Sequence, residues 1–149
     1  MLIEKAISED HLSLTDLTIR SKSFWNYSEQ QIKEWIPVLT ISEAYIQEKE
    51  VYKLVKDDEI IAYYSYVANS PNVVLLDNLF VSPEYIGKGV GKRMMNDFLQ
   101  RVKSQGCSKV ILYSDPNSEG FYHRFGFEVI GQEKTSIEGR FLPIMSKAL

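Results

Sequence analysis

Val73-Val74-Leu75-Leu76-Asp77-Asn78-Leu79-Phe80-Val81-Ser82-Pro83-Glu84-Tyr85-Ile86-Gly87-Lys88-Gly89-Val90-Gly91-Lys92 decides the fold, because it runs an apolar strand into a helix through a glycine-rich turn. Glycines at alternate positions let the backbone approach a ligand closely, and the first N–H groups of the next helix lack intrahelical partners and face whatever anion sits there. The pattern predicts a ligand that carries phosphates. It is not a Walker loop, because Lys92 is followed by Arg93 where a hydroxyl would hold magnesium. A metal-bound nucleoside triphosphate is therefore excluded, and no metal is called for. Nor is it a dinucleotide fingerprint, since Lys92 and Met94 occupy the places of the third glycine.

A second segment is independent of the first: Asp115-Pro116-Asn117-Ser118-Glu119-Gly120-Phe121-Tyr122-His123-Arg124-Phe125-Gly126-Phe127. It follows a strand over 108–113, and Asp115 or Asn117 can cap the short helix that begins there. Gly126 is placed to end that helix in the left-handed conformation and to release the chain into another strand.

Together the two segments resemble the GCN5-related N-acetyltransferase (GNAT) family. The first is similar to its acetyl-CoA motif, [RQ]-x-x-G-x-[GA] after a strand ending in V-x-P, with Val81, Pro83, Gly89 and Gly91 in place and Ile86 where Arg or Gln is usual. The second resembles N-x-x-A-x-x-F-Y-x-x-x-G-F, with Asp115 for Asn and Ser118 for Ala. The resemblance implies acetyl-CoA as acyl-donor cosubstrate. Its pantetheine would pair with the backbone of Leu79, Phe80 and Val81, and its diphosphate would sit on Ile86, Gly87, Lys88, Gly89, Val90, Gly91 and Lys92, with Asn117 and Tyr122 also on the cofactor side. It further implies that Tyr122 protonates the departing thiolate of coenzyme A, a role that suits a phenol protonated at neutral pH.

An amine must lose a proton to attack a thioester, and Asp77 is the candidate base. Strand alternation groups Asp77 with Leu75 and Leu79, where desolvation would favour the protonated form. His123 points about 100° away from Tyr122 on a helix. His11 reads as a surface residue, and Cys107 as a small residue in a helix-to-strand loop. On the acceptor side the resemblance brings Trp25 and Tyr27, either as a substrate pocket or as packing between two helices.

The chain of 149 residues is the size of one ordinary domain, expected as a single GNAT-like acetyltransferase domain over 1–149. With 44% hydrophobic and 25% charged residues it is globular in composition. A net charge of −3 argues against nucleic acid as partner. The first ten residues carry no basic region leading into a long apolar segment, and one cysteine suits a reducing compartment, so a cytoplasmic protein without membrane contact is expected. The partner is an amine, either a small molecule or a peptide; a homodimer is the default assembly. A non-catalytic acyl-CoA sensor and a scaffold with a merely structural glycine turn are the competing functions.

Periodicity and turn residues predict strands over 2–6, 50–56, 59–67, 73–81, 108–113, 127–134 and 140–147, and helices over 9–23, 28–39 and 89–104 plus the short one after Asp115. Pro37 should strain or end its helix, Asp57-Asp58 should turn a hairpin, and Pro143 should mark an edge strand or a bulge. The fold class is therefore mixed α/β (α+β). It has a mostly antiparallel sheet of six to seven strands flanked by about four helices, which the resemblance splays between the fourth and fifth strands.

Overall fold

In a computed structural model that describes residues 2–149, the run Val73–Val81 forms the fourth of seven strands. The strands are β1 (Leu2–Lys5), β2 (Glu50–Lys56), β3 (Glu59–Ser70), β4 (Val73–Val81), β5 (Lys109–Tyr113), β6 (Glu128–Lys134) and β7 (Phe141–Ala148). They make one sheet in the order β1-β2-β3-β4-β5-β7-β6. The β4–β5 pair is parallel, and its register runs from Val73↔Lys109 to Leu76↔Leu112 while β4 itself continues to Val81. The helices are α1 (His11–Phe24), α2 (Glu29–Leu39), α3 (Glu43–Glu48), α4 (Val90–Ser104) and α5 (Glu119–His123). This is the mixed, mostly antiparallel fold expected, with α3 as an addition.

Local chemistry explains most of the boundaries. Ser28 and Ser42 each accept a backbone N–H three residues on, from Gln31 and Tyr45, and so start α2 and α3. Pro37 neither ends α2 nor sits outside it: the helix runs on to Leu39, where the Thr40 hydroxyl donates to the Ile36 carbonyl at 2.7 Å. Pro143 departs from expectation too. It lies in β7, an interior strand, because its carbonyl accepts from Ser114 N at 2.8 Å just past the end of β5. In an antiparallel strand a residue's N and O point the same way, so the missing N–H faces a place where β5 has already ended. The register of β7 with β6 shifts beyond it, between Val129 and Gly131, which pair with Met145 and Ile144, while Pro143 itself pairs with Gln132.

Backbone contacts divide the chain into two compact units. The first comprises residues up to Tyr66 plus Asn78–Leu99. Leu14, Leu17, Ile41, Ile46, Val51 and Tyr63 form a buried cluster there, with Tyr45, Ile60 and Phe80 packed against it. Val90, Met94, Met95 and Phe98 of α4 are also buried, and Tyr64 meets Phe98 edge-on and Tyr66 meets it tilted, each at 5.4 Å. The second unit comprises Val67–Asp77 and Gln100–Leu149, with Val74, Leu76, Val110, Leu112, Phe127 and Met145 buried. Among the described residues no helix is long and apolar enough to cross a membrane.

Asp57 and Asp58 turn the β2–β3 hairpin with φ of 50° and 62°, both in the left-handed region. Glycine adopts that region without the Cβ penalty, so Asp58→Gly is expected to raise stability by about 0.5–1 kcal/mol. The urea midpoint measures this, and Asp58→Val should move it the other way.

Candidate functional site

The site begins where β4 ends. Ser82 N donates to Ile61 O at 2.7 Å, fixing the end of the strand on β3, and the buried Ser82 hydroxyl donates to Glu84 and accepts from Arg20 Nη1 at 3.0 Å. The Ser82 hydroxyl, ahead of Glu84's own backbone and Arg20, holds the Glu84 carboxyl below its usual range. These side chains, with Asp16, Ile61 and Tyr85, line a recess of about 370 Å³.

A turn of 3-10 helix, Pro83–Tyr85, follows, and then the glycines. Gly87 and Gly89 have φ of 81° and 83°, a conformation that L side chains rarely adopt, and a Cβ on either would meet no atom within 4 Å. Two amides of this turn are already engaged within the chain. Ile86 N is taken by Pro83 O and Lys88 N by Tyr85 O, each at 3.3 Å. The first bond of α4 runs from Arg93 N to Gly89 O at 3.1 Å, so by helix geometry the amides of Val90, Gly91 and Lys92 have no intrahelical acceptor. No acidic residue occupies the first turn of α4, and Lys88, Lys92 and Arg93 are exposed around it. The resulting field favours an anion.

Upstream on β4, Leu79, Phe80 and Val81 are half-buried. Phe80 packs its ring against Tyr63 at 6.0 Å. Asn78 precedes them, its amide nitrogen donating to Tyr45 Oη at 3.0 Å and to Ser65 Oγ at 3.1 Å. In the same unit Tyr27 meets Trp35 edge-on at 4.8 Å, and Lys22 Nζ lies over both rings, 5.4 and 5.2 Å from their centres. Trp25 packs edge-on against Phe24 at 5.1 Å. Trp25 and Tyr27 thus have packing partners of their own, and both remain partly exposed.

In the second unit, Asp115 caps the turn after β5: its Oδ1 accepts from Asn117 N at 2.8 Å and from Asn117 Nδ2 at 3.0 Å. The exposed Asn117 side chain is thereby turned onto the cap. Tyr122 is buried, its ring edge-on to Phe121 and Phe127. Burial drives its hydroxyl far above the ordinary tyrosine range, the Asp115 carboxylate adding to the shift, so the phenol stays protonated. Gly126 takes the left-handed conformation, φ 87°, as its place in the motif predicts. His123 is half-exposed and bonded to Phe127 O and Glu119, away from any reactive role.

Asp77 does not have the environment alternation predicted for it. It is exposed, because neighbouring positions of β4 are only half covered on that face, and the desolvation argument for it falls away. Among the described residues no three His, Cys, Asp or Glu side chains are gathered to hold a metal ion. The Arg20–Ser82 and Asn78–Tyr45–Ser65 contacts had no signal in the sequence, since their partners lie far apart along the chain.

The model of the acetyltransferase (GNAT) domain matches residues 25–149. The chain belongs to the GNAT acetyltransferase family. It is accordingly an enzyme of the N-acyltransferase class. It is 25% identical over 118 residues to the uncharacterised N-acetyltransferase YafP of Escherichia coli (strain K12), covering 76% of this chain and 70% of that protein. It is 40% identical over 52 residues to a glucosamine 6-phosphate N-acetyltransferase of Trypanosoma brucei brucei, a match spanning only 35% of either protein. Its fold is shared with PaiA N-acetyltransferase from Thermoplasma acidophilum, solved in complex with coenzyme A, at a TM-score of 0.81 and 23% identity over 99% of this chain and 98% of that one.

Gly89→Val places a β-branched residue at φ 83° and removes the glycine geometry that opens α4. A thermal shift with acetyl-CoA is expected for the unmodified protein, and this variant should lose it.

Proposed function

We propose that the protein transfers an acetyl group from acetyl-CoA to a primary amine of a small molecule or peptide, by direct attack while both substrates are bound. The observation that carries this reading is the left-handed pair Gly87 and Gly89 leading into the open amides of α4. Those amides, with Lys88, Lys92 and Arg93, suit the diphosphate, and the backbone of Leu79, Phe80 and Val81 suits the pantetheine arm. Acetyl-CoA supplies an activated thioester.

The residues then divide the proton traffic. The amine nitrogen bonds to the acyl carbon as the carbon–sulfur bond breaks, one N–H proton leaves, and the thiolate gains one. Tyr122 donates the proton to sulfur and recovers it from solvent. Asp77, exposed at the middle of β4, takes the proton from nitrogen through water. Trp25 and Tyr27 contribute to the acceptor side, with the Lys22 ammonium already lying over Tyr27.

A thermal-shift titration with acetyl-CoA, followed by thiol release over a panel of amines, tests the assignment. Stabilisation with thiol release supports it. Stabilisation without release by any amine would leave a sensor, and no stabilisation would remove the donor site altogether.

Tyr122→Phe is expected to lower turnover by about 100-fold or more while leaving the acetyl-CoA shift intact. The sign of the Tyr122 shift matters: a phenol raised above the ordinary value keeps its proton as pH increases, so turnover should show no alkaline fall at the ordinary tyrosine pKa of about 10. Asp77→Asn is expected to lower the rate of thiol release in the presence of an amine while leaving the acetyl-CoA thermal shift intact, and an unchanged rate would remove Asp77 as the base.

A further inference from the structure

Three polar side chains converge where β3 and β4 meet α3. Asn78 Nδ2 donates to Tyr45 Oη at 3.0 Å and Ser65 Oγ at 3.1 Å, and the two hydroxyls lie 2.7 Å apart. Ser65 is fully buried, while Tyr45 and Asn78 are half-buried at the margin of the apolar cluster around Ile46, Val51 and Tyr63. Leaving any one of these groups unpaired would cost about 1–3 kcal/mol, so the closed triangle holds the amide in one orientation.

That orientation directs both donors inward. The amide oxygen bonds no group among the described residues, and no buried side-chain oxygen there lacks a partner, so Oδ1 is open to a ligand. Its place along β4 is informative. At about 3.3 Å per residue, Asn78 lies about 10 Å upstream of Val81, so a donor arm entering at the glycine turn and running along the strand brings its acyl end toward it.

We infer that Asn78 Oδ1 accepts an N–H of the incoming amine and so selects primary over secondary amines. This rests on the acetyltransferase reading above. A primary amine has one N–H to lose during attack and another to keep on Asn78. A secondary amine has one, and must either give it up or keep it. Asn78 is neutral and moves no proton; it touches the substrate, while Tyr45 and Ser65 are positioning residues that act through it.

The test uses the full chain, acetyl-CoA, and whichever of glucosamine 6-phosphate, a lysine peptide, a peptide with N-terminal alanine or an aminoglycoside gives the fastest thiol release, together with its N-methyl analogue. In the unmodified protein the primary amine should have the lower KM. Asn78→Ala should raise that KM about tenfold, the size expected for one lost hydrogen bond, and bring the two amines to nearly equal KM. Asn78→Asp keeps an acceptor oxygen and should retain the preference. Tyr45→Phe, which keeps the ring, should raise the amine KM by a smaller factor with little change in kcat. The acetyl-CoA thermal shift should be unchanged in all three.

An unchanged KM and an unchanged preference in Asn78→Ala would overturn the inference while leaving the acetyltransferase reading in place. Loss of the acetyl-CoA shift in step with the rise in KM would overturn it as well, by showing a structural role. If the unmodified protein stabilises with acetyl-CoA but releases no thiol with any of the four amines, the acetyltransferase reading fails and this inference with it.

Discussion

The parallel pairing of Val73–Leu76 with Lys109–Leu112 is the constraint from which the rest follows. Two neighbouring strands running the same way cannot be joined by a tight turn, so the chain must cross over, and α4 is the crossover. The helix has to start near the carboxyl end of β4. Only a short, sharply turning segment fits between them, and the left-handed conformations of Gly87 and Gly89 provide it. An amide-lined helix start at the end of a strand is thus a by-product of topology before it is a ligand site. The exposed cations and the absence of acids in the first turn of α4 then give it a preference for anions.

Polar groups in the core are handled by closed pairing rather than by exclusion. Among the described residues no buried side-chain nitrogen or oxygen lacks a hydrogen bond. Thr18 and Tyr63 share a hydroxyl contact of 2.5 Å between α1 and β3, and Lys53 reaches Asp10 at 2.6 Å with both side chains largely covered. Asp10 also accepts from Ile7 N, so one carboxylate orders both the entry to α1 and a lysine of β2. Removing Lys53 would leave the largely covered Asp10 carboxylate without its ammonium partner, which is where such pairs become costly.

Local chemistry was readable in the sequence wherever a few adjacent residues settle it. The Asp57-Asp58 turn, the Ser28 cap, the glycine turn and the left-handed Gly126 are all of that kind. What could not be read depends on distant neighbours. Whether Asp77 is covered is decided by what lies over β4, and the answer is that it is exposed. Pro143 sits in an interior strand because β5 happens to stop beside it, a matter of another strand's length. The acceptors around Asn78 come from residues 13 and 33 positions away, and Arg20 reaches Ser82 across 62. The motif for the second unit was legible as a pattern, while the depth at which Tyr122 is buried was not.

Ile86 has a wider implication. With an apolar side chain there and its amide committed to Pro83 O, an anion at this turn would meet the main-chain amides of Val90, Gly91 and Lys92 beside the exposed cations, with no side-chain contact from residue 86. A survey that replaced residues with alanine one at a time would pass over much of this grip, because truncating Ile86, Val90 or Lys92 leaves their peptide groups where they were. Side-chain changes in the loop therefore leave this geometry in place so long as its glycine backbone is kept.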